Sequence, residues 1–212
     1  MENINLEEHL GETCKLDGAL SPLRYPGGKG VLGDFLTDLI RVNNLTGATY
    51  YELYSGAAGA ALQLLYNRIV SKIVINDADY RIYSFWYSIL HNTYQFLQAI
   101  DACNLTIEEW YIQKAIYDNA ENEDQFSIGF ATFYLNRTNR SGILHKSGPI
   151  GGFDQTGNYL IDARFKKVIL KDRINRIVHW SKKISVYNLT AESFLENIEE
   201  IEKNNNNRFF SI

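Results

Sequence analysis

Gly56 and Asp77 lie 21 residues apart, and the residues between them suggest chemistry. A run rich in β-formers, Thr49 to Tyr54, leads into the small-residue turn Ser55-Gly56-Ala57-Ala58-Gly59. An Ala/Leu-rich run follows, then a second apolar run that ends on the acid. In folds that bind adenosine or dinucleotides, such a glycine lets backbone approach the ligand, and the acid accepts hydrogen bonds from ribose hydroxyls. The turn is not G-x-G-x-x-G and no P-loop is present, which argues against a dinucleotide or a nucleoside triphosphate. The plain alternative is a glycine that merely turns the chain and an aspartate that merely caps a helix.

Two further clusters add to this pair. Tyr25-Pro26-Gly27-Gly28-Lys29 places an aromatic ring, a tight turn and a lysine ahead of a helix. Together they could form a cup with a cationic lip, suited to a ligand with a flat base and a carboxylate. S-adenosylmethionine, adenosine joined to methionine, is the natural candidate; an ordinary Pro-Gly turn with a surface lysine is the alternative. In Tyr134 to Gly142, residues Asn136, Arg137, Asn139 and Arg140 are types that reach phosphates and base edges. Polar residues at a helix end also serve as caps. These four, with Lys146, belong to a stretch from Ala131 to Lys183 that holds eleven Lys/Arg against three Asp. That net +8, in a chain of net −4, leaves −12 on the remainder. A polyanion would be steered to the one and repelled by the other.

The elements that must position these residues follow from periodicity and punctuation. Val31 to Ile40 has helical spacing, Thr49 to Tyr54 reads as a buried strand, and Ala57 to Asn67 as a helix. Lys72 to Asn76 is a second strand, and Tyr80 to Ile100 a long aromatic helix whose rings fit a core. Thr106 with Glu109 is a capping-box signature, and a further helix spans Gln125 to Asn136. Ser141 to Asn158, with six glycines or prolines, reads as a long loop or small hairpin. A basic helix near Lys171 to Lys183, a strand Ile184 to Leu189, a helix Ala191 to Lys203 and a last strand Arg208 to Ile212 complete the chain. Strand–helix alternation implies an α/β fold with parallel pairing.

Composition narrows the class. Hydrophobic residues at 45% supply a core for one medium domain. No run is long and apolar enough for a membrane span, and Met1 to Leu10 lacks a secretory pattern. Cys14 and Cys103 read as reduced cytoplasmic thiols, and His9, His91, His145 and His179 are too scattered to collect a metal.

The ordered set Arg24-Tyr-Pro-Gly-Gly-Lys29, Glu52-Leu-Tyr-Ser-Gly56, Ile75-Asn-Asp77 and Leu135-Asn-Arg-Thr-Asn-Arg-Ser-Gly142 resembles the Dam-like class of DNA adenine methyltransferases. The resemblance covers the chain from about Ser21. It implies transfer of a methyl group from S-adenosylmethionine to the exocyclic amino group of adenine in double-stranded DNA, at a specific site. The implied fold is α/β, a Rossmann-like methyltransferase sheet of about four strands, incomplete beside the family's seven and ordered 3-2-1-4, with an inserted, mostly helical DNA-recognition region. Residues 1–100 would form the cofactor half, 101–183 the recognition region, and 184–212 the return to the sheet. Tyr25 and Lys29 would contact the cofactor, Gly56 would form its methionine-side loop, and Asp77 would hold the ribose. Asn136, Arg137, Asn139, Arg140 and Lys146 would meet DNA. Ala58 stands where the family often has a second glycine, which would shift the methionine end of the cofactor.

The larger departure is the family's catalytic motif, Asp-Pro-Pro-Tyr, expected after the fourth strand. Pro22, Pro26 and Pro149 are never adjacent, and the sequence stops at Ile212, where the motif should begin. The motif's acid and a carbonyl localise the amino lone pair, and its tyrosine stacks on the flipped base. Without them essentially no turnover is expected. The expectations are therefore a truncated remnant, one subunit of a split enzyme completed by a second polypeptide, or a piece of a longer protein. A non-catalytic DNA-binding or regulatory module is the competing reading, and a methyltransferase of RNA or of a small molecule is a weaker one. A fourth strand ending the sheet would also expose an apolar edge at Phe209, Phe210 and Ile212.

Overall fold

The computed structural model describes residues 19–24, 32–198 and 208–211. Its centre is a four-stranded, all-parallel sheet of β1 (Thr49–Glu52), β2 (Lys72–Asn76), β3 (Ile184–Tyr187) and β4 (Arg208–Ser211), ordered β3-β2-β1-β4. The order expected from the sequence, 3-2-1-4, is the order found. Alternation along the strands divides the core in two. Tyr50, Ile73 and Ile75 join the large cluster on one face, with Phe209 packed against it. Tyr51, Leu53 and Val74 join Phe194 on the other, with Phe210 alongside. Strands buried on both faces need near-continuous apolar runs, and β2 (Lys-Ile-Val-Ile-Asn) has one. β4 is tied to β1 by ring stacking, Tyr50 on Phe209 and Tyr51 on Phe210, with centroids 6.0 and 4.6 Å apart.

The helices are α1 (Gly33–Val42), α2 (Gly59–Tyr66), α3 (Tyr80–His91), α4 (Thr93–Ala102), α5 (Ile107–Asp118), α6 (Gln125–Thr138), α7 (Lys167–His179) and α8 (Ala191–Glu196). The single long helix expected from Tyr80 to Ile100 is two. Asn92, at φ −119°, ends α3 and opens α4. The break lets Phe96 of α4 meet Phe85 of α3 and Phe130 and Phe133 of α6 at centroid distances of 5.4–5.9 Å. Thr106 caps α5 by accepting from the Glu109 amide, but the Glu109 carboxylate takes the Gln113 side chain instead of closing the box. α7 begins earlier than expected because Lys167 reaches back to the carbonyls of Asp101 and Cys103 at the end of α4, where the helix dipole favours a cation. Ser141 to Asn158 is a folded loop with one antiparallel bridge, Asn139 to Pro149. Within it the Gln155 amide donates to the Ile150 and Gly152 carbonyls and accepts from the Ile161 amide.

α6 passes close to α3 at Gly129. A Cβ there would stand 2.5 Å from the Ser84 carbonyl oxygen and 2.8 Å from Ser88 Oγ. Gly129→Ala should therefore destabilise the protein by about 1–3 kcal/mol through overpacking, despite alanine's better helix propensity. Urea denaturation checks this; a raised midpoint would show that the two helices separate without cost.

Candidate functional site

β1 and β2 end level with each other, and their last residues build the site. Beyond β1 the Ser55 amide donates to the Asn76 carbonyl at 2.9 Å, and Ala58 N–H to the Ser55 carbonyl at 2.6 Å, closing a tight bend ahead of α2. Gly56 sits at φ +45° and Ala58 at φ +48°. The left-handed region costs a residue with Cβ on the order of 1–2 kcal/mol. Ala58 thus keeps a glycine-like backbone where the family often has glycine.

The bend and the acid meet. Gly56 N–H donates to Asp77 Oδ2 at 2.8 Å, and Asp79 N–H donates to Asp77 Oδ1 at 3.0 Å. A carboxylate has about four acceptor positions, and donors on both oxygens fix its plane. Its backbone is pinned as well: Asp77 N–H bonds the Tyr187 carbonyl at 3.2 Å, and Asn188 Nδ2 bonds the Asp77 carbonyl at 2.8 Å. Asp79 then caps α3 through the Arg81 amide.

Three supporting residues are not evident from the sequence. The Trp86 indole N–H, buried, donates to the Gly56 carbonyl at 2.9 Å and holds the bend from below. Asn188 secures Asp77. Asn76, 1% exposed, donates Nδ2 to the Leu53 and Leu189 carbonyls and accepts from Leu189 N–H at Oδ1. One side-chain amide thereby joins the ends of three neighbouring chain segments. The available signal is an asparagine closing a buried strand, where a polar side chain must find partners.

The residues expected to meet DNA divide into two groups. Asn136 and Asn139 are fully buried and Arg137 is 5% exposed. Asn136 bonds the amide and carbonyl of Arg24 and the carbonyl of Gly142. Asn139 accepts from the Trp110 indole and donates to Ile143, and Arg137 Nε donates to the Pro22 carbonyl. These three side chains, expected to meet DNA, lie inside the molecule and tie α6 to its surroundings. Arg140 and Lys146 are exposed. Arg140 edges an open groove of about 420 Å³ lined also by Gly151, Gly152, Gly157, Asn158 and Tyr159. Tyr25 and Lys29 lie outside the described residues, directly after Arg24.

Charge is arranged unevenly. On the basic stretch, Lys166, Lys171 and Arg176 pair with Asp162, Asp101 and Asp172. Arg24, Arg137, Arg164 and Arg173 have no carboxylate within 4 Å among the described residues. Two of them converge on one piece of backbone, Arg137 on the Pro22 carbonyl and Arg173 on the Ser21 carbonyl, while Arg24 reaches the Asn139 carbonyl. Burial, then the charges of Arg173, Arg24 and Arg164, bring the Arg137 pKa down to about 9. It is still a cation at neutral pH. Among the described residues, no three of His, Cys, Asp and Glu gather as a metal site, and no helix is long and apolar enough to cross a membrane.

Replacing Asn76 by alanine should cost about 3 kcal/mol, since three buried backbone groups lose a partner. Thermal or urea unfolding measures this, and a loss below about 0.5 kcal/mol, the level of an ordinary surface substitution, would contradict the stitching role.

No curated protein sequence matches the chain. A family model does, along most of its length, and the matched stretch contains the bend, the acid and the whole of α6 and its loop. On that match, over residues 25–207, the chain belongs to the D12 class N6 adenine-specific DNA methyltransferase family.

Proposed function

We propose that this chain binds S-adenosylmethionine at the Gly56–Asp77 bend and double-stranded DNA beside Arg140, Lys146 and the arginine group, in the service of adenine N6 methylation. The observation that carries this reading is the 2.8 Å bond from Gly56 N–H to the Asp77 carboxylate. It fixes an anionic acceptor next to a backbone bend at the carboxyl ends of β1 and β2. The strand order reverses direction between β1 and β4, and open α/β sheets take their ligands in the crevice at such a reversal. Ribose hydroxyls would donate to Asp77, whose orientation is set beforehand by two backbone amides. When bound, the cofactor supplies a methyl group on a positively charged sulfur. Trp86 and Asn188 keep the bend and the acid in place, which limits the reorganisation needed on binding.

On the DNA side, Arg140 and Lys146 are exposed to meet phosphates or base edges. The Arg24–Arg137–Arg164–Arg173 group supplies positive charge with no carboxylate within 4 Å among the described residues. A duplex phosphate would offset the cost of keeping Arg137 charged in the interior. None of these residues is assigned the task of accepting the adenine amino hydrogens. The Asp-Pro-Pro-Tyr motif that does so in the family does not occur in the 212 residues. A second reading is a DNA- and cofactor-binding module, or one subunit of a split enzyme that works with a second polypeptide.

Calorimetry with S-adenosylmethionine should show binding that Asp77→Ala weakens on the order of 10- to 100-fold, since hydrogen bonds to a charged group contribute about 1.5–3 kcal/mol. Absence of binding to the well-folded protein would overturn the reading. Fluorescence anisotropy with a mixed-sequence duplex should show that Arg140→Gln and Lys146→Gln each lower the salt slope by about 0.9 for every phosphate left unneutralised. Labelled cofactor then separates the two readings: methyl transfer that appears only with an added polypeptide bearing the acceptor motif identifies a split enzyme, and DNA retention without transfer under any addition identifies a module.

A further inference from the structure

A second group of titratable side chains lies between the recognition loop and the acid that the cofactor reading uses. His145, in the loop after Gly142, has Nε2 3.9 Å from Asp79 Oδ2 and 3.3 Å from the Tyr117 hydroxyl at the end of α5. The ring is closed on its far side. Arg81 Nη1 is 3.8 Å from Asp79 Oδ1, Arg81 Nε donates to the Tyr117 carbonyl at 3.0 Å, and the Arg81 guanidinium lies 4.7 Å from the centroid of the Tyr117 ring. Four side chains from three segments (α3 with its cap, α5 and the loop) therefore contact one another in a circle.

The circle ends on Asp77. Asp79 N–H donates to Asp77 Oδ1, one of the two bonds that set that carboxylate's plane. Asp79 Oδ1 accepts from the Arg81 amide as the cap of α3, while Oδ2 faces His145. The loop is fixed a second time three residues earlier, where Asn136 bonds the Gly142 carbonyl at 2.9 Å. Lys146, adjacent to His145, has φ +54° and is exposed. With His145 on Asp79, the side chain of the residue whose backbone amide bonds Asp77 is held from both sides, by His145 and by Arg81. With the loop withdrawn, Asp79 keeps its α3 contacts and its amide bond to Asp77 but loses His145.

We propose that His145 and Asp79 are positioning residues that couple the two ligand sites, so that DNA engaging the loop strengthens binding of S-adenosylmethionine at Asp77. This rests on the cofactor and DNA reading given above. The coupling is reciprocal, because each ligand stabilises the same arrangement of one loop. It requires no contact between His145 and either ligand. A ligand that holds the loop against Asp79 favours the arrangement that the other ligand also uses.

The test measures S-adenosylmethionine affinity for the full chain by calorimetry, with and without a saturating mixed-sequence duplex. In the unsubstituted protein the duplex should raise cofactor affinity about 5- to 20-fold, within the usual range of coupling between sites. Asp79→Asn retains a good helix cap, and His145→Gln retains a polar side chain. Each should bring that factor to within about twofold of unity while leaving either ligand's separate affinity within about threefold. The double variant should lose no more coupling than either single one, the mark of residues acting through each other. An undiminished factor in both single variants overturns the proposal, as does a factor of one in the unsubstituted protein. Failure of the unsubstituted protein to bind one ligand at all overturns the functional reading itself, and is seen separately in the single-ligand titrations.

Discussion

The Gly56–Asp77 bond exists only because β1 and β2 stop at the same level in one particular register. Thr49 pairs with Lys72 and Glu52 with Ile75, which brings the bend after Glu52 beside the acid after Asn76. A slip of one residue would send Asp77 to the opposite face and reverse every core contact of β2. That slip is opposed by burial, since Ile73 and Ile75 fill one side of the sheet and Val74 the other. The apolar content of five strand residues thus determines where a charged oxygen stands, and Asn76 and Trp86 hold the outcome in place.

α6 links this core to the basic surface. From Ile128 to Thr138 every residue of the helix is buried. Its first half packs rings against α3 and α4, and its last turn commits polar side chains to the chain around it. Asn136 holds Arg24 by both backbone groups and Gly142 by its carbonyl. It so sets the spacing between Arg24 and the start of the loop after α6. A side chain at Gly142 would meet the Arg24 backbone oxygen at 2.9 Å, so the approach of the two segments depends on a residue without Cβ.

Much of this is legible in the sequence. Apolar runs locate the strands, β2 to the residue, and the spacing of Gly56 and Asp77 anticipates their meeting. What is not legible are the places where tertiary contact overrides local pattern. Asn92 interrupts what looks like one aromatic helix because two shorter ones bring Phe96 into the core. Asn136, Arg137 and Asn139 have the chemistry of base readers, but they continue a helix that is apolar all round, and such a helix is buried. Polar residues that extend it have to bond inside. The run Ile128 to Leu135 holds that signal, and the residue types that follow it point the other way. Trp86 looks like one more core ring, and its indole N–H, the part that matters to the site, has no periodicity to reveal it.

The buried Arg137 shows why guanidinium chemistry suits this position. Its Nε donates to Pro22, Nη2 has no hydrogen-bond partner among the described residues, and three other arginines add to its field. A lysine would concentrate the charge on one strongly hydrated atom and could not direct one edge to a carbonyl while spreading charge over the other. Rigid packing keeps Arg137 from swinging out to a surface carboxylate, as Lys171 and Arg176 have done. The charge therefore remains available to something that arrives from outside. A chain that carries +8 on one stretch and −12 on the remainder steers a polyanion toward that stretch. That stretch includes the loop in which His145 Nε2 lies 3.9 Å from Asp79 Oδ2, and the Asp79 amide in turn bonds the Asp77 carboxylate.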